Sequence, residues 1–293
     1  MWCNDRRRMT QATPDPKLEK RLLHQVGRAI HEFGLIEDGD RILVGISGGK
    51  DSFTLLYLLQ RLRERAPVAF ELVACNLDQG HPGFPAENLE AYLRAQGCHV
   101  RMLREDTYSV VKRLTPEGAT ACAVCSRLRR GILYTAAVEM GCTKIALGHH
   151  RDDLVESLLL SMLFAGKMRS MAPKLRADDG RNTVIRPLCF AAEADIAAFA
   201  RSAAFPIIPC DLCGTQENLQ RRRVKRLLSD LERDHPRIRA SIFAAMGNVM
   251  AAHLLDARLY PRDIETGADP WIDADDAEIA LATLPQRIPS FDQ

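Results

Sequence analysis

Long hydrophobic runs are missing from this sequence, because no apolar stretch approaches the roughly 18 residues that a membrane-spanning helix needs. The N-terminal segment, MWCNDRRRMTQATPDP, is basic and lacks the apolar stretch of a secretory signal, so we interpret residues 1–17 as a flexible leader. A strong net charge is also missing: the value is +2, so no overall field demands an anionic partner. Any surface for nucleic acid must therefore come from local clusters of basic residues.

The nine cysteines have no export signal beside them. Clustered cysteines in a reducing cytoplasm indicate metal or redox chemistry and not a secreted disulfide framework. A hydrophobic content of 46% is typical of a globular protein with a sizeable core, and we find no internal repeat. The predicted organisation is one main domain over 18–255, followed by a partly irregular tail over 256–293.

Apolar runs with strand character alternate with stretches of helical spacing, which predicts an α/β fold with a parallel sheet flanked by helices. Ligands of such sheets bind at the carboxyl ends of the strands, where this sequence places SGGKDS, LDQG and GHHRDD. The predicted strands cover 41–46, 70–78, 99–106, 144–150 and 183–188. The predicted helices cover 18–35, 53–66, 126–140, 153–165, 192–204 and 217–234, with a basic loop over 166–182.

The segment SGGKDS, residues 47–52, joins the first strand to a helix through two glycines. Glycine permits a tight turn, and the unpaired N–H groups of a helix N-terminus suit phosphate. A Walker A loop is excluded, because Val44 occupies its first glycine position and Asp51 follows the lysine. The loop therefore predicts a phosphate site of another kind.

The hexapeptide resembles the SGGxDS pyrophosphate loop of the N-type ATP pyrophosphatases, which cleave ATP between the α- and β-phosphates. Over residues 18–250 the chain further resembles the bacterial tRNA 2-thiocytidine synthetase family. The motifs that carry this resemblance are NLDQGHPGFP, CAVCSRLRRGILY, KIALGHHRDD, GKMRSMAPKL and FPIIPCDLCGTQENLQR. It implies an adenine nucleotide alpha hydrolase-like fold, ATP with Mg²⁺, and 2-thiolation of cytidine 32 in the tRNA anticodon loop through an adenylated intermediate.

The resemblance assigns roles to residues at the predicted strand ends. Expected catalytic residues are Lys50, Asp51, Arg129 and Asp153. Expected nucleotide-binding residues are Ser47, Gly48, Gly49, Lys50, Asp51, Ser52, Asp78 and His149. Plainer explanations stay open: Asp152 or Asp153 could cap a helix, Asp78 could be a turn residue, and His149 and His150 could pack or bind zinc.

Two C-x-x-C pairs, Cys122 with Cys125 and Cys210 with Cys213, leave a Cys₄ zinc site, a redox dithiol and an iron–sulfur cluster as alternatives. The family resemblance implies a [4Fe-4S] cluster held by Cys122, Cys125 and Cys213, with one iron left open to sulfide. The remaining strand and helix cysteines are expected to be small buried hydrophobic residues.

Basic residues cluster in three places, which favours binding of RNA phosphates over a merely solvated surface. The clusters are Arg127, Arg129 and Arg130; Lys167, Arg169, Lys174 and Arg176; and Arg221, Arg222, Arg223, Lys225 and Arg226. Expected partners are tRNA, a cysteine desulfurase as sulfur source and a second copy in a homodimer, all in the cytoplasm. Rival functions are a 2-thiouridine synthetase, a lysidine-type ligase, and a non-enzymatic RNA-binding module that senses ATP or redox state.

Overall fold

The computed structural model describes six stretches of the chain: residues 14–81, 83–114, 122–177, 180–208, 219–250 and 253–256. Apart from residues 14–17 and Asp256, the predicted leader and tail lie outside these stretches, so their boundaries stay predictions. The chain divides into two compact units, Met1–Ala244 and Ala245–Gln293. None of the helices within the described stretches is long and apolar enough to span a membrane.

Strands and helices follow each other along the chain, mostly in alternation. The strands are β1 (Asp40–Ile46), β2 (Phe70–Asp78), β3 (His99–Arg104), β4 (Lys144–Ala146), β5 (Lys174–Arg176) and β6 (Thr183–Ile185). The helices are α1 (Pro16–Phe33), α2 (Lys50–Arg63), α3 (Ala86–Ala95), α4 (Thr107–Leu114), α5 (Cys122–Glu139), α6 (Arg151–Ala165), α7 (Glu193–Ser202), α8 (Leu219–Asp234) and α9 (Ile238–Met246).

The strands form a single six-stranded sheet in the order β3-β2-β1-β4-β6-β5. All neighbours are parallel except β5, which pairs antiparallel with β6 at the edge. From β1 the chain first builds outward through β2 and β3, and then returns to add β4 on the other side. The order therefore reverses between β1 and β4, and a crevice for ligands opens at the carboxyl ends of strands on either side of such a point.

Both faces of the central strands are buried, as a parallel sheet requires. Leu43 of β1 packs with Ala137 of α5 on one face. Its neighbours Ile42 and Val44 point to the opposite face, where α2 lies against β1, and they are also fully buried. Because neither face is exposed to solvent, these strands appear in the sequence as continuous apolar runs.

The sheet and its flanking helices confirm the predicted fold class, with corrections at the element level. The predicted basic loop over 166–182 contains the edge strand β5, and the predicted strand over 144–150 ends at Ala146. Helices α3, α4 and α9 were not predicted, although in α3 Leu89 and Leu93 show the four-residue spacing of a buried helical face. Helix α5 begins at Cys122 and not at 126, so the first C-x-x-C pair lies within its first turn.

A buried ion pair joins β1 to β4 at the amino ends of these strands, on the side of the sheet opposite the crevice. Lys144 Nζ lies 2.6 Å from Asp40 Oδ2, and both side chains are almost fully buried. Thr143 donates its hydroxyl to Asp40 Oδ1 at 2.6 Å, and Glu37 accepts from Lys144 Nζ at 3.0 Å. With its charges paired and hydrogen-bonded, this cluster holds β4 beside β1 and so sets the two loops of the site side by side.

Candidate active site

The SGGKDS loop is held in shape by its two serines. Ser52 is buried, accepts a hydrogen bond from the Ser47 N–H at 3.2 Å, and donates its hydroxyl to the Gly49 carbonyl at 2.9 Å. Gly49 is the N-cap of α2 and brings no side chain to the helix end. The first N–H groups of α2 therefore face the crevice without a capping side chain, as binding of a phosphate requires.

Gly48 needs to be glycine for two reasons. Its φ of +84° lies in the left-handed region, and a Cβ built on it would come within 2.6 Å of Ile208 Cδ1. Ile208 also donates its N–H to the Gly48 carbonyl at 2.9 Å. The segment that leads toward Cys210 and Cys213 is thus attached to the phosphate loop at Ile208.

Lys50 lies between two carboxylates. Its Nζ is 3.1 Å from Asp51 Oδ1 and donates to Glu193 Oε1 at 3.0 Å. Burial alone would lower the pKa of Lys50, but the charges of Asp51 and Glu193 outweigh burial and raise the pKa. Burial opposes ionisation of Glu193 too, yet its hydrogen bond with Lys50 lowers the pKa of this carboxyl. Lys50 therefore carries a positive charge at the loop, and this charge is already paired with two carboxylates.

The GHHRDD segment starts α6 through a capping box. His150 is the N-cap: its Nδ1 accepts from the Asp153 N–H at 3.4 Å, and its own N–H donates to Asp153 Oδ2 at 3.1 Å. The open alternative was that Asp152 or Asp153 caps a helix, but the N-cap of α6 is His150. Asp153 completes the box from the third helical position, and Asp152 accepts from the Glu193 N–H at 2.8 Å at the start of α7.

The two loops approach each other closely at Gly148. A Cβ on this residue would lie 3.1 Å from the backbone carbonyl carbon of Asp51 and 3.2 Å from the Ser52 nitrogen. His150 Nε2 consequently lies 3.8 Å from Asp51 Oδ1 and 3.5 Å from Asp153 Oδ2. The fold therefore brings together two acidic residues that stand far apart in the sequence.

A cavity of about 270 Å³ opens where these loops meet. Ser47, Asp51 and Ser52 line it from the first loop, and His149 and Asp153 from the second. Gln79 after β2 and two residues of α5, Arg129 and Leu133, also line it. Of the residues predicted for nucleotide and catalysis, this cavity collects Ser47, Asp51, Ser52, Arg129, His149 and Asp153.

His149 and Asp78 have different surroundings. Burial lowers the pKa of His149 to about 4, with the charge of Arg186 acting in the same direction, so the ring is neutral at pH 7. Its Nδ1 is buried without a hydrogen-bond partner, which leaves a polar atom available at the cavity wall. Asp78 instead accepts from the Gly80 N–H at 2.9 Å and is not among the residues that line the cavity. The carboxylate of Asp78 thus stabilises the turn after β2, and its contact with nucleotide stays a prediction.

The first cysteine pair lies beside the same cavity. Cys125 Sγ lies 3.2 Å from Oε1 of the cavity residue Gln79. Cys125, Arg129 and Leu133 recur at four-residue intervals, so one face of α5 runs along the cavity. Cys122 is the first residue of the same helix, three positions before Cys125. Cys210 and Cys213 lie outside the described residues. Within the described residues, the thiol of Cys125 and the helical position of Cys122 fit the predicted cluster. Ligation by Cys213 stays a prediction.

The donor set at the loops also fits Mg²⁺. Three carboxylates lie near these loops: Asp51 and Glu193 flank Lys50, and Asp153 lies beside His150. One lysine offsets them, so a polyphosphate would be repelled unless a divalent cation came with it. Within the described stretches, no three His, Cys, Asp or Glu side chains are grouped to hold a metal by themselves. Asp51 and Asp153, both in the cavity wall, are carboxylates of the kind that Mg²⁺ takes together with water and substrate phosphates.

The three basic clusters differ in how many of their charges are free. Lys174 donates to the Gly34 carbonyl at 2.6 Å, and Arg176 donates to the Gly180 carbonyl at 2.7 Å, so both are engaged within the protein. On α8, Arg221 and Lys225 approach the buried Glu156 of α6, at 3.8 and 3.9 Å. Burial raises the pKa of Glu156, against the charges of these two cations.

The other basic residues of these clusters face solvent more directly. The exposed members are Arg127, Arg130, Lys167, Arg169, Arg222, Arg223 and Arg226. The expected RNA surface therefore separates into cations that are engaged within the protein and cations that are exposed.

Three further residues of the active site had not been singled out from the sequence: Glu193, Gln79 and Ile208. Only contacts between distant segments reveal them.

The sequence profile of the PP-loop domain matches residues 16–231. The fold and the loop thus define the chain as a PP-loop protein. A tRNA-cytidine(32) 2-sulfurtransferase from Anaeromyxobacter dehalogenans strain 2CP-C is 63% identical over 263 residues, which cover 89% of this chain and 91% of that protein. Another from Sorangium cellulosum strain So ce56 is 53% identical over 274 residues, 93% of this chain and 96% of the relative. The chain belongs to the tRNA-cytidine(32) 2-sulfurtransferase family.

Among solved structures, the U34-tRNA thiolase NcsA from Methanococcus maripaludis with its [4Fe-4S] cluster superposes with a TM-score of 0.62. The superposition covers 79% of this chain and 78% of that chain, at 21% sequence identity. At this identity the likeness concerns the fold.

Proposed function

We propose that this chain uses ATP to replace the C2 oxygen of cytidine 32 in tRNA by sulfur. The observation that carries the proposal is the single cavity in which the SGGKDS loop, Asp153 and the cysteine-bearing face of α5 meet. Membership of the sulfurtransferase family supports tRNA as the substrate and ATP as the activating nucleotide. Single-stranded loops allow a base to be turned outward, as attack on C2 requires.

Each loop has a separate task in this reaction. The free N–H groups at the start of α2 and the hydroxyl of Ser47 bind the departing pyrophosphate, and Lys50 offsets its charge. Asp51 and Asp153 hold Mg²⁺ against the phosphates. The C2 oxygen attacks the α-phosphorus and pyrophosphate leaves, and sulfide then attacks C2 and AMP leaves.

Arg129 approaches the reacting base from α5, as its position in the cavity wall permits. We propose that Cys122, Cys125 and Cys213 hold a [4Fe-4S] cluster on this side of the cavity. When bound, the cluster supplies an iron that is open to sulfide. Gln79, whose side chain contacts Cys125, orients the thiol toward the cavity. Contacts of Asp78 and His149 with the nucleotide belong to the same proposal.

We also propose that a cysteine desulfurase supplies the sulfur, that the protein works in the cytoplasm, and that two copies form a homodimer. The test of the central proposal is mass spectrometry of nucleosides from tRNA incubated anaerobically with the reconstituted protein, ATP, Mg²⁺ and sulfide. We expect ATP-dependent 2-thiocytidine. Appearance of 2-thiouridine instead, or binding of tRNA without thiolation or release of pyrophosphate, would replace the proposal with one of its rivals.

A further inference from the structure

The stretch from the end of α6 to β5 has an unusual charge composition. Between Glu156 and Asp178 the sequence contains no acidic residue, yet it contains Lys167, Arg169, Lys174 and Arg176. The last two are engaged with backbone carbonyls, as described above. Lys167 and Arg169 are exposed and have no side-chain partner among the described residues. Lys167 and Arg169 are therefore the two cations of this stretch whose donor groups face solvent without a partner among the described residues.

Large apolar side chains are exposed beside these two cations. Met162, Leu163 and Phe164, in the last turn of α6, have exposed fractions of 40%, 56% and 46%, and Met168 in the following loop has 67%. Single exposed apolar residues are ordinary, but three consecutive ones on a helix point in different directions, so this end of α6 exposes apolar surface on more than one side. We call Met162, Leu163, Phe164 and Met168, together with Lys167 and Arg169, the α6 tip.

The α6 tip is connected to the active site through its own loop. Gly166 ends α6 in the left-handed conformation, and Lys167 donates its N–H back to the Ser161 carbonyl at 3.1 Å. The chain then runs back along the helix until the Ser170 hydroxyl donates to the Leu154 carbonyl at 2.6 Å, one residue from Asp153. At 1.5 Å per residue, the tip lies about 16 Å from Asp153 along the helix axis. An RNA loop that places one nucleotide in the site extends over a distance of this order, so the tip is within its reach.

We infer that the α6 tip binds the single-stranded part of the RNA substrate next to the reacting nucleotide, an assignment that rests on the proposed function. Phe164 and Met168 receive the faces of unstacked bases, and Lys167 and Arg169 contact the intervening phosphates. Exposed apolar groups between uncompensated cations match the alternation of bases and phosphates in a single strand.

A second copy of this chain fits the α6 tip less well. In a two-fold dimer the same patch meets itself, so Lys167 and Arg169 of one copy would approach those of the other. The stretch offers no acidic residue to compensate such a meeting of like charges. The charge pattern therefore favours RNA as the occupant.

The test compares binding of two RNA probes without ATP, so that it reports on the surface whether or not thiolation occurs. One probe is an anticodon hairpin with cytidine 32 in its loop, and the other is the same stem as a blunt duplex. Replacing Phe164→Ser with Met168→Ser should weaken hairpin binding about tenfold or more and leave duplex binding unchanged. The dependence on salt should keep its slope, because no charge is removed.

The double variant Lys167→Ala with Arg169→Ala should instead reduce the slope of log K against log salt by about 0.7 for each cation. The matched control is Lys174→Ala, which removes one charge that Glu37 already compensates at 3.2 Å, and it should leave the slope unchanged. Circular dichroism checks whether the double variant Phe164→Ser with Met168→Ser folds. If it does not, Met168→Ser alone still tests the apolar contact, because Met168 lies in a loop.

Unchanged hairpin affinity in a folded apolar variant would overturn the inference. If sedimentation shows that the same variant dissociates a dimer while RNA affinity stays constant, the tip is an interface between copies. Failure of the proposed function has a different signature, namely no 2-thiocytidine from the wild-type protein. Thiolation by the wild type together with an unchanged KM for tRNA in the tip variants would overturn this inference alone.

Discussion

Lys50 is the residue whose surroundings most directly reflect its proposed task, because it brings a full positive charge to the start of α2. Replacing it in Lys50→Ala should lower pyrophosphate release by about 10²- to 10³-fold, the usual loss when one donor that stabilises a departing anion is removed. The side chain is partly exposed and packs into no core, so far-ultraviolet circular dichroism should not change. Wild-type turnover in the folded variant would contradict the assignment of the loop.

Glu193 competes with a bound anion for Lys50, since its carboxylate already occupies one side of the ammonium group. The substitution Glu193→Gln keeps the shape of the side chain and removes its charge, so Lys50 becomes freer to contact phosphate. We expect inorganic pyrophosphate to inhibit the variant several-fold more strongly than the wild type. Weaker inhibition would mean that Glu193 orients Lys50 and does not compete for it.

Glu37 gives the fold a defined dependence on pH. Hydrogen bonds from Lys144 and Lys174 lower the pKa of Glu37 below its usual 4.5. The folded state therefore favours the charged form, and the resulting stability is complete above pH 4.5 and is lost as the pH falls through the lowered pKa. The difference in free energy of unfolding between the wild type and Glu37→Gln should be largest near pH 7 and should shrink below pH 4.5. A difference that is independent of pH would contradict this.

At the scale of elements, α8 presents two different faces. Val224 and Leu228 are buried and lie on the same side as Arg221 and Lys225, which approach Glu156. The basic run in the sequence is therefore not one surface. The cations left for RNA on this helix are Arg222, Arg223 and Arg226.

Replacing these three exposed arginines with alanine should reduce the salt slope of tRNA binding by about 2 to 3, because each released counterion contributes 0.7 to 0.9. The control is Arg233→Ala on the same helix, whose charge is compensated by Asp230 at 3.2 Å. Its slope should equal that of the wild type. Equal slopes for the triple variant and the wild type would show that this face is only solvated.

Strands that are buried on both sides were predictable, and of the two edge strands β3 was predicted and β5 was not. The bounds of β2 match the prediction, because a strand covered on both faces is a continuous apolar run. Strand β5 is exposed along its length and exists only because β6 offers it a pairing partner, so its sequence looks like a loop. Strand β4 is shorter than predicted, since the chain leaves the sheet to bring Gly148 against the backbone of Asp51.

At the scale of the whole molecule, the proposed cluster depends on cysteines from distant segments. We expect Cys122→Ala, Cys125→Ala and Cys213→Ala each to lose the visible absorption of the anaerobically reconstituted cluster and all thiolation. Cys210→Ala should retain most of the iron, with reduced activity allowed. The control is Cys98→Ala, whose thiol accepts a hydrogen bond from Gln60 away from the cavity.

Iron content distinguishes the two ligand sets. If Cys210→Ala loses iron as completely as Cys213→Ala, four cysteines hold the cluster. The proposal that one iron is open to sulfide would then have to be abandoned. If zinc and not iron accompanies the purified protein and thiolation is absent, the Cys₄ zinc alternative is favoured.

The sequence by itself determined the fold class and the phosphate loop, because both depend on local features. Burial on two faces makes central strands apolar, and a turn that needs a left-handed residue at Gly48 needs glycine. The tertiary structure alone decided which charges meet. Glu193 reaches Lys50, Asp152 caps α7, and Arg221 turns inward to Glu156, each across a long separation in the chain. Such contacts leave no periodic signal, because they depend on how elements pack and not on which residues follow one another.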